Sequence, residues 1–167
     1  PNLNVHVDKL LGGVMKSFWN FIETPPSSEF EMGVFNGWAG ALVVFAALKN
    51  LYPNDDYNPA IYTVLQKIEK LIDNDTNYDI MGGSAGCICA ILNLYIDYPD
   101  PYYLTVAKKC GEHIVTHAIS QAEGVGWVIG TMPALSGFSH GGAGIAYALL
   151  RLSKATSDDR FREVAIE

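Results

Sequence analysis

Charge is scarce in this 167-residue chain, and basic charge is scarcest. Asp, Glu, Lys and Arg make up 17% of it, 11 basic residues stand against 18 acidic ones, and the formal net charge is −7. An acidic surface without a lysine or arginine cluster repels phosphates, which excludes nucleic acid and anionic membranes as partners. Cysteine is also sparse. Three residues, an odd number without framework spacing or a Cys-x-x-Cys pair, imply free thiols in a reducing compartment and no closed zinc site. The longest uncharged apolar run, Trp38 to Leu48, is too short to span a bilayer as a helix. Pro1-Asn2-Leu3-Asn4 has neither the basic start nor the apolar run of a signal peptide. The expectation is a cytoplasmic protein with no membrane span. With 49% hydrophobic residues, the chain has enough apolar material for a folded core.

What is present in abundance is glycine ahead of apolar runs. Asn36-Gly37-Trp38-Ala39-Gly40 leads into Ala41-Leu42-Val43-Val44-Phe45. Gly82-Gly83-Ser84-Ala85-Gly86 leads into Cys87-Ile88-Cys89-Ala90-Ile91-Leu92. Gly137-Phe138-Ser139-His140-Gly141-Gly142-Ala143-Gly144 leads into Ile145-Ala146-Tyr147-Ala148-Leu149-Leu150. The copies are 46 residues apart from Gly40 to Gly86 and 58 from Gly86 to Gly144, a spacing typical of helical repeats with loop insertions. Four residues before each final glycine stand Asn36, Gly82 and His140. One odd polar residue in a repeated scaffold marks a place for chemistry.

The runs after these loops predict helices over about 40–51, 85–95 and 143–153, apolar nearly all round and therefore covered on all sides. Between them fall helices with one wet face. Asn58-Pro59 predicts a start with Asn58 as cap, followed by Ile61, Val64, Leu65, Ile68, Leu71 and Ile72 on the dry side. Asp100-Pro101 starts a second, with Leu104, Ala107, Cys110, Ile114 and Ala118 inward. Asp158-Asp159 starts a third, with Phe161, Val164 and Ala165 inward. An amphipathic helix over 10–22 precedes a loop over 20–30, and residues 126–130 form a short extended piece. The fold class is all-α. Alternating outer helices, glycine loops and inner helices stack as an open solenoid or close into a double ring, and inner helices covered on all sides favour the ring, an α/α toroid. Residues 1–167 then form a single partial domain, because the third outer helix breaks off at Glu167 and leaves the ring incomplete.

Histidine is the side chain suited to acid–base work near neutrality, and the glycines flanking His140 leave room for a substrate; alternatively it caps the following helix. Asp79, seven residues before Gly86, reads on its own first as a helix cap. If the inner helices share a ring, the two loops open toward the same end, and a carboxylate beside the imidazole would fix its tautomer. His113 and His117, four apart after Glu112, have the glutamate misplaced for the zinc-protease pattern His-Glu-x-x-His and read as an ordinary helix edge. Cys87, Cys89 and Cys110 occupy apolar helical positions and read as core residues. Trp38 and Trp127 serve as pocket lining or as core.

The segment Gly137 to Leu149 resembles the first histidine-glycine motif of the lanthionine synthetase C-like cyclases, most closely the cyclase half of the bifunctional class II lanthipeptide synthetases. Tyr78-Asp79-Ile80-Met81-Gly82-Gly83-Ser84-Ala85-Gly86 resembles the aspartate-bearing loop of that family, and Phe35-Asn36-Gly37-Trp38-Ala39-Gly40 its earlier glycine loop. The resemblance runs from about Phe30 to the C-terminus. It implies an α/α toroid around a zinc ion that binds a precursor-peptide cysteine, whose thiolate adds to dehydroalanine or dehydrobutyrine. By position, His140 matches the family's active-site acid or base and Asp79 its acidic partner. The Trp-Cys-x-Gly and Cys-His-Gly motifs that would supply zinc ligands are absent. The expectation is therefore a fragment that carries the acid–base half of the site, binds no zinc itself, is inactive alone, and self-associates through exposed apolar ends. The rival readings are a non-catalytic α/α module that binds peptide or protein, and a toroid enzyme using paired carboxylates, for which no second acid is evident.

Overall fold

The structure is a computed structural model that describes residues 3–24, 31–131 and 133–167, with residues 3–11 described in their backbone only. The chain divides into two units, residues 1–30 and 31–167. Among its described residues the first holds one helix, α1 (Leu3–Glu23), longer at both ends than the predicted 10–22. Asn20 to Glu23, expected in a loop, continue it, since no residue there breaks a helix. The Thr24 amide and hydroxyl both close on the Asn20 carbonyl, each at 2.8 Å. The rest of the predicted loop, 25–30, lies outside the described residues.

Among the described residues, the regular structure of the second unit is helical apart from isolated β-bridges, such as Glu31 with Gly37, and a two-residue antiparallel pairing of β1 (Ile119–Ser120) with β2 (Val125–Gly126). Of the extended piece expected over 126–130, Gly126 lies in β2 and Ile129 in an isolated β-bridge. Three helices follow the glycine loops: α2 (Trp38–Leu51), α4 (Ser84–Asp97) and α6 (Gly142–Thr156). They pack side by side with α4 in the middle. The wet-faced helices α3 (Asn58–Leu71), α5 (Pro101–Thr116) and α7 (Asp159–Ile166) form a second row behind them, α3 on α2, α5 on α4 and α6, and α7 on α6. The all-α, two-row order read from the periodicity is the one observed.

The rows differ from expectation in burial. Only α4 is covered on both sides, from Ser84 through Leu92 with Cys89 half-buried. α2 exposes Val43, Val44 and Leu51, and α6 exposes Tyr147 and Leu150. A middle helix has two neighbours in its row and a flanking helix has one; apolar composition alone does not tell them apart. Behind them, α3 buries Ile61, Val64, Leu65 and Ile68 as its spacing dictates, and α7 buries Phe161 while Val164 and Ala165 stay half-buried. α5 buries Ala107, Cys110 and Ile114 as read, and adds Tyr103, Val106, Gly111 and His113.

The wet-faced helices after α1 take the caps their sequence predicts, with one exception. The Asp100 carboxylate accepts the Tyr102 amide at 2.8 Å, and that of Asp158 accepts the Arg160 amide at 3.3 Å. Asn58 does not cap α3. It is the first helical residue, its backbone amide donates to the Asp56 carboxylate, and its side-chain Oδ1 accepts the Lys49 ammonium at 3.0 Å. Pro59 still sits in the first turn, where its missing N–H costs nothing.

Candidate functional site

The three glycine loops are one structure used three times. Each is a seven-residue wrap, 31–37, 77–83 and 135–141, ending in the extended glycine before its helix (Gly37, Gly83, Gly141). The second helical residue donates its amide to the carbonyl seven residues back in each: Ala39 to Met32, Ala85 to Tyr78, Ala143 to Ser136. The closing glycine packs against the amide nitrogen of the loop's third residue, where a Cβ would lie 2.5, 2.6 and 2.8 Å from Gly33, Asp79 and Gly137 respectively. Gly40, Gly86 and Gly144 press on the carbonyls of Val34, Ile80 and Phe138, too close to admit a side chain. The loops therefore align position by position. Gly33, Asp79 and Gly137 occupy the third place, and Asn36, Gly82 and His140 the sixth.

Neighbouring loops also meet in the same way. The sixth residue of the second loop, Gly82, lies against the third residue of the first, Gly33, with backbone touching backbone. The sixth residue of the third loop, His140, meets the third residue of the second, Asp79. There the contact is between side chains: His140 Nδ1 donates to Asp79 Oδ2 at 2.7 Å. Sequence reasoning asked whether these two come together, and the structure brings them together across a separation of 61 residues.

The pair is asymmetric. Asp79 is 3% exposed in its side chain and His140 56%. The other oxygen of Asp79, Oδ1, accepts the Gly82 amide at 2.8 Å, so the carboxylate is fixed at both ends. A carboxylate only accepts, so the hydrogen bond places a proton on His140 Nδ1. In the neutral ring, Nε2 is then the basic nitrogen. A half-exposed imidazole with a defined tautomer, held by a walled-in carboxylate, can take a proton from a substrate or give one to it. At the corresponding place in the first loop, Asn36 turns back and donates to Glu31 of its own loop, so no second pair forms there.

The remaining candidates fall elsewhere. His113 is buried on α5, with its Nε2 at 2.8 Å from the Asp75 carbonyl, and His117 closes the end of α5 with Nδ1 at 2.8 Å from the His113 carbonyl. Both imidazoles stack against the Tyr78 ring at 5.5 and 5.4 Å. They are more than a helix edge, and they bind to protein groups. Cys87 and Cys110 are buried in the core, and Cys89 is half-buried. The Cys87 thiol donates to the Met32 carbonyl at 3.0 Å, and burial pushes its pKa well up, the opposite of what a thiolate ligand needs. Trp38 and Trp127 are core residues; the Trp127 indole N–H donates to the Ile114 carbonyl at 2.8 Å. Among the described residues no three His, Cys, Asp or Glu side chains gather closely enough to hold a metal.

Sequence reasoning missed three buried polar residues behind the site: Asp75, Ser84 and His113 as a partner of Asp75. The available signal was Asp75-Thr76-Asn77, an aspartate two residues ahead of a loop, where its side chain can accept amides further along the chain.

The chain matches the model of the family described as lanthionine synthetase C-like protein over residues 14–167. No curated protein matches it significantly. No helix among the described residues is long and apolar enough to cross a membrane.

Proposed function

Since the chain belongs to the lanthionine synthetase C-like family, we propose that Asp79 and His140 are the proton-handling pair of a cyclase that closes thioether rings on a precursor peptide. In that reaction a cysteine thiol loses its proton and its sulfur bonds to the β-carbon of a dehydroalanine or dehydrobutyrine. The electrons of the carbon–carbon double bond pass to the adjacent carbon as an enolate, which then takes a proton. One proton leaves sulfur and one arrives at carbon. His140 is suited to either transfer through Nε2, while Asp79 holds Nδ1–H and keeps the ring aimed.

The single observation that carries this reading is the 2.7 Å contact between side chains of two separate loops, one buried and one exposed. The two helix rows support a further expectation, that residues 31–167 form part of an α/α toroid. The residues here do not fit the zinc ion that the resemblance implies. The Cys87 thiol is locked in the core in its protonated form and no three-ligand cluster exists among the described residues. No step is therefore routed through a metal, and any zinc would be held by residues other than these.

The test is ring closure by the full-length protein on a dehydrated precursor peptide, read as loss of alkylatable thiol by mass spectrometry. His140→Ala and Asp79→Asn should each lower turnover by roughly 10²- to 10⁴-fold, the usual worth of a positioned general acid or base. Unchanged turnover in both variants would refute the roles assigned. Zinc content measured on the same preparation separates a metal defect from a proton-transfer defect.

A further inference from the structure

The loop that carries Asp79 departs from its two copies at one point. In the first and third loops the amide of the first helical residue donates to the carbonyl seven back: Trp38 to Glu31 at 3.0 Å and Gly142 to Leu135 at 2.8 Å. In the second, the matching carbonyl belongs to Asn77 and is already taken, because the Asp79 amide donates to it at 2.7 Å. That short bond closes a three-residue turn with Tyr78 at its centre, at φ 57°. Turns of this kind are rare and strained, the more so for a residue with a bulky side chain. The kink directly precedes Asp79, so it sets where that carboxylate stands.

Something must hold the turn and satisfy the displaced amide of Ser84. The Asp75 carboxylate does both. Its Oδ1 accepts the Asn77 amide at 2.9 Å and the Tyr78 amide at 3.2 Å, on the near side of the turn. Its Oδ2 accepts the Ser84 amide at 2.8 Å and the Ser84 hydroxyl at 2.6 Å, on the far side of the loop. One side chain thus ties the two ends of the loop together and replaces the backbone acceptor that the kink removed. Asp75 is itself 7% exposed, and its carbonyl is held by His113 of α5. The Tyr78 ring lies against His113 and His117, which keeps the strained residue from swinging out.

We propose that Asp75, backed by His113, is a positioning residue: it holds the kinked loop so that Asp79 meets His140. The inference rests on the reading of Asp79 and His140 as the proton-handling pair, but its test does not depend on activity. In Asp75→Asn the single remaining carbonyl oxygen can serve only one end of the loop, so the other end is released.

The readout is the ring nitrogen-15 spectrum of His140 in this chain, recorded at a pH where the imidazole is neutral. Asp79→Asn supplies the reference. Its amide oxygen stays with the Gly82 amide, its NH₂ faces His140 Nδ1, and the ring proton moves to Nε2. Asp75→Asn should shift the His140 pattern most of the way to that reference while unfolding remains cooperative. In the full-length protein it should lower kcat by about 10- to 100-fold, with KM held within about twofold, as expected for misplacement of a group that does not touch the substrate. A wild-type ring pattern in Asp75→Asn overturns the proposal. Should that variant fail to fold, Ser84→Ala decides: a partial shift in the same direction supports the proposal, and an unshifted spectrum overturns it. Loss of the catalytic reading would show instead as unchanged turnover in Asp79→Asn, whatever the Asp75 spectra report.

Discussion

The junction between the first and second loops and the junction between the second and third are built on the same backbone plan, yet only one brings two ionisable side chains together. At the first, Gly33 and Gly82 bring main chain against main chain. At the second, the same two places hold Asp79 and His140, and the contact is a hydrogen bond between side chains. In this comparison, fold and function are separable layers. The helix rows and the wrapped loops position a pair of junctions, and the residue types at the third and sixth places decide whether a junction is closed by main chain or by a side-chain pair.

Filling the main-chain junction should break it. A methyl group in Gly33→Ala would fall on the Met81 carbonyl and the Gly82 backbone, neither of which can move aside as a side-chain tip can. We expect a loss of about 3–5 kcal/mol, read from the denaturant midpoint, the range reached when a change forces packed backbone apart. A smaller effect concerns the helix behind the second junction. Burial pushes the Tyr103 hydroxyl, and likewise that of Tyr102, up to about 12. A raised folded-state value means that the neutral hydroxyl is favoured by folding. Its contribution is complete below pH 10 and is lost as pH rises from 10 toward 12. Tyr103→Phe should therefore flatten the fall in thermal midpoint over that window, by an amount on the order of 1–2 kcal/mol.

The flanking helices sharpen a second contrast, between covered α4 and its half-covered neighbours. Val43, Val44, Tyr147 and Leu150 leave apolar faces open on α2 and α6. We expect concentration-dependent association of this chain by light scattering, reduced in Leu150→Glu; a clean monomer at high concentration would count against it. The smallest effect is the control for the first. Gly137 stands in the same loop place as Gly33 but has nothing within 4 Å of its missing Cβ. Gly137→Ala should change stability by no more than about 0.5 kcal/mol.

Much of this arrangement is legible in the residues themselves. The i, i+3, i+4 spacing of Ile61, Val64, Leu65 and Ile68, the Asp-Pro start of α5, and the three Ala-Gly helix openings gave the rows and their order. His140 stood out because the repeat supplied its own controls in Asn36 and Gly82. What could not be read depends on neighbours distant in sequence. The burial of α4 and the exposure of α2 come from position in the row. Asn58 gives up the cap to Tyr57 because α3 begins one residue earlier, and its side chain meets Lys49 instead. The kink at Tyr78 is hidden because positive φ ordinarily announces itself with glycine, and here Asp75 from the loop and His113 and His117 from the end of α5 hold it on a tyrosine. Asp75 and His113 were invisible for the same reason, since each matters only through the other.

The unequal exposure of the pair has a practical consequence. A ring at the rim can be replaced from solution, so imidazole added to a His140→Gly protein has a route into the vacated place. A carboxylate sealed in the wall has no such stand-in, and formate offered to an Asp79→Gly protein would have to enter through packed main chain. The site is open to chemical rescue from one side only, which turns a difference in solvent contact into a way of telling the two members apart.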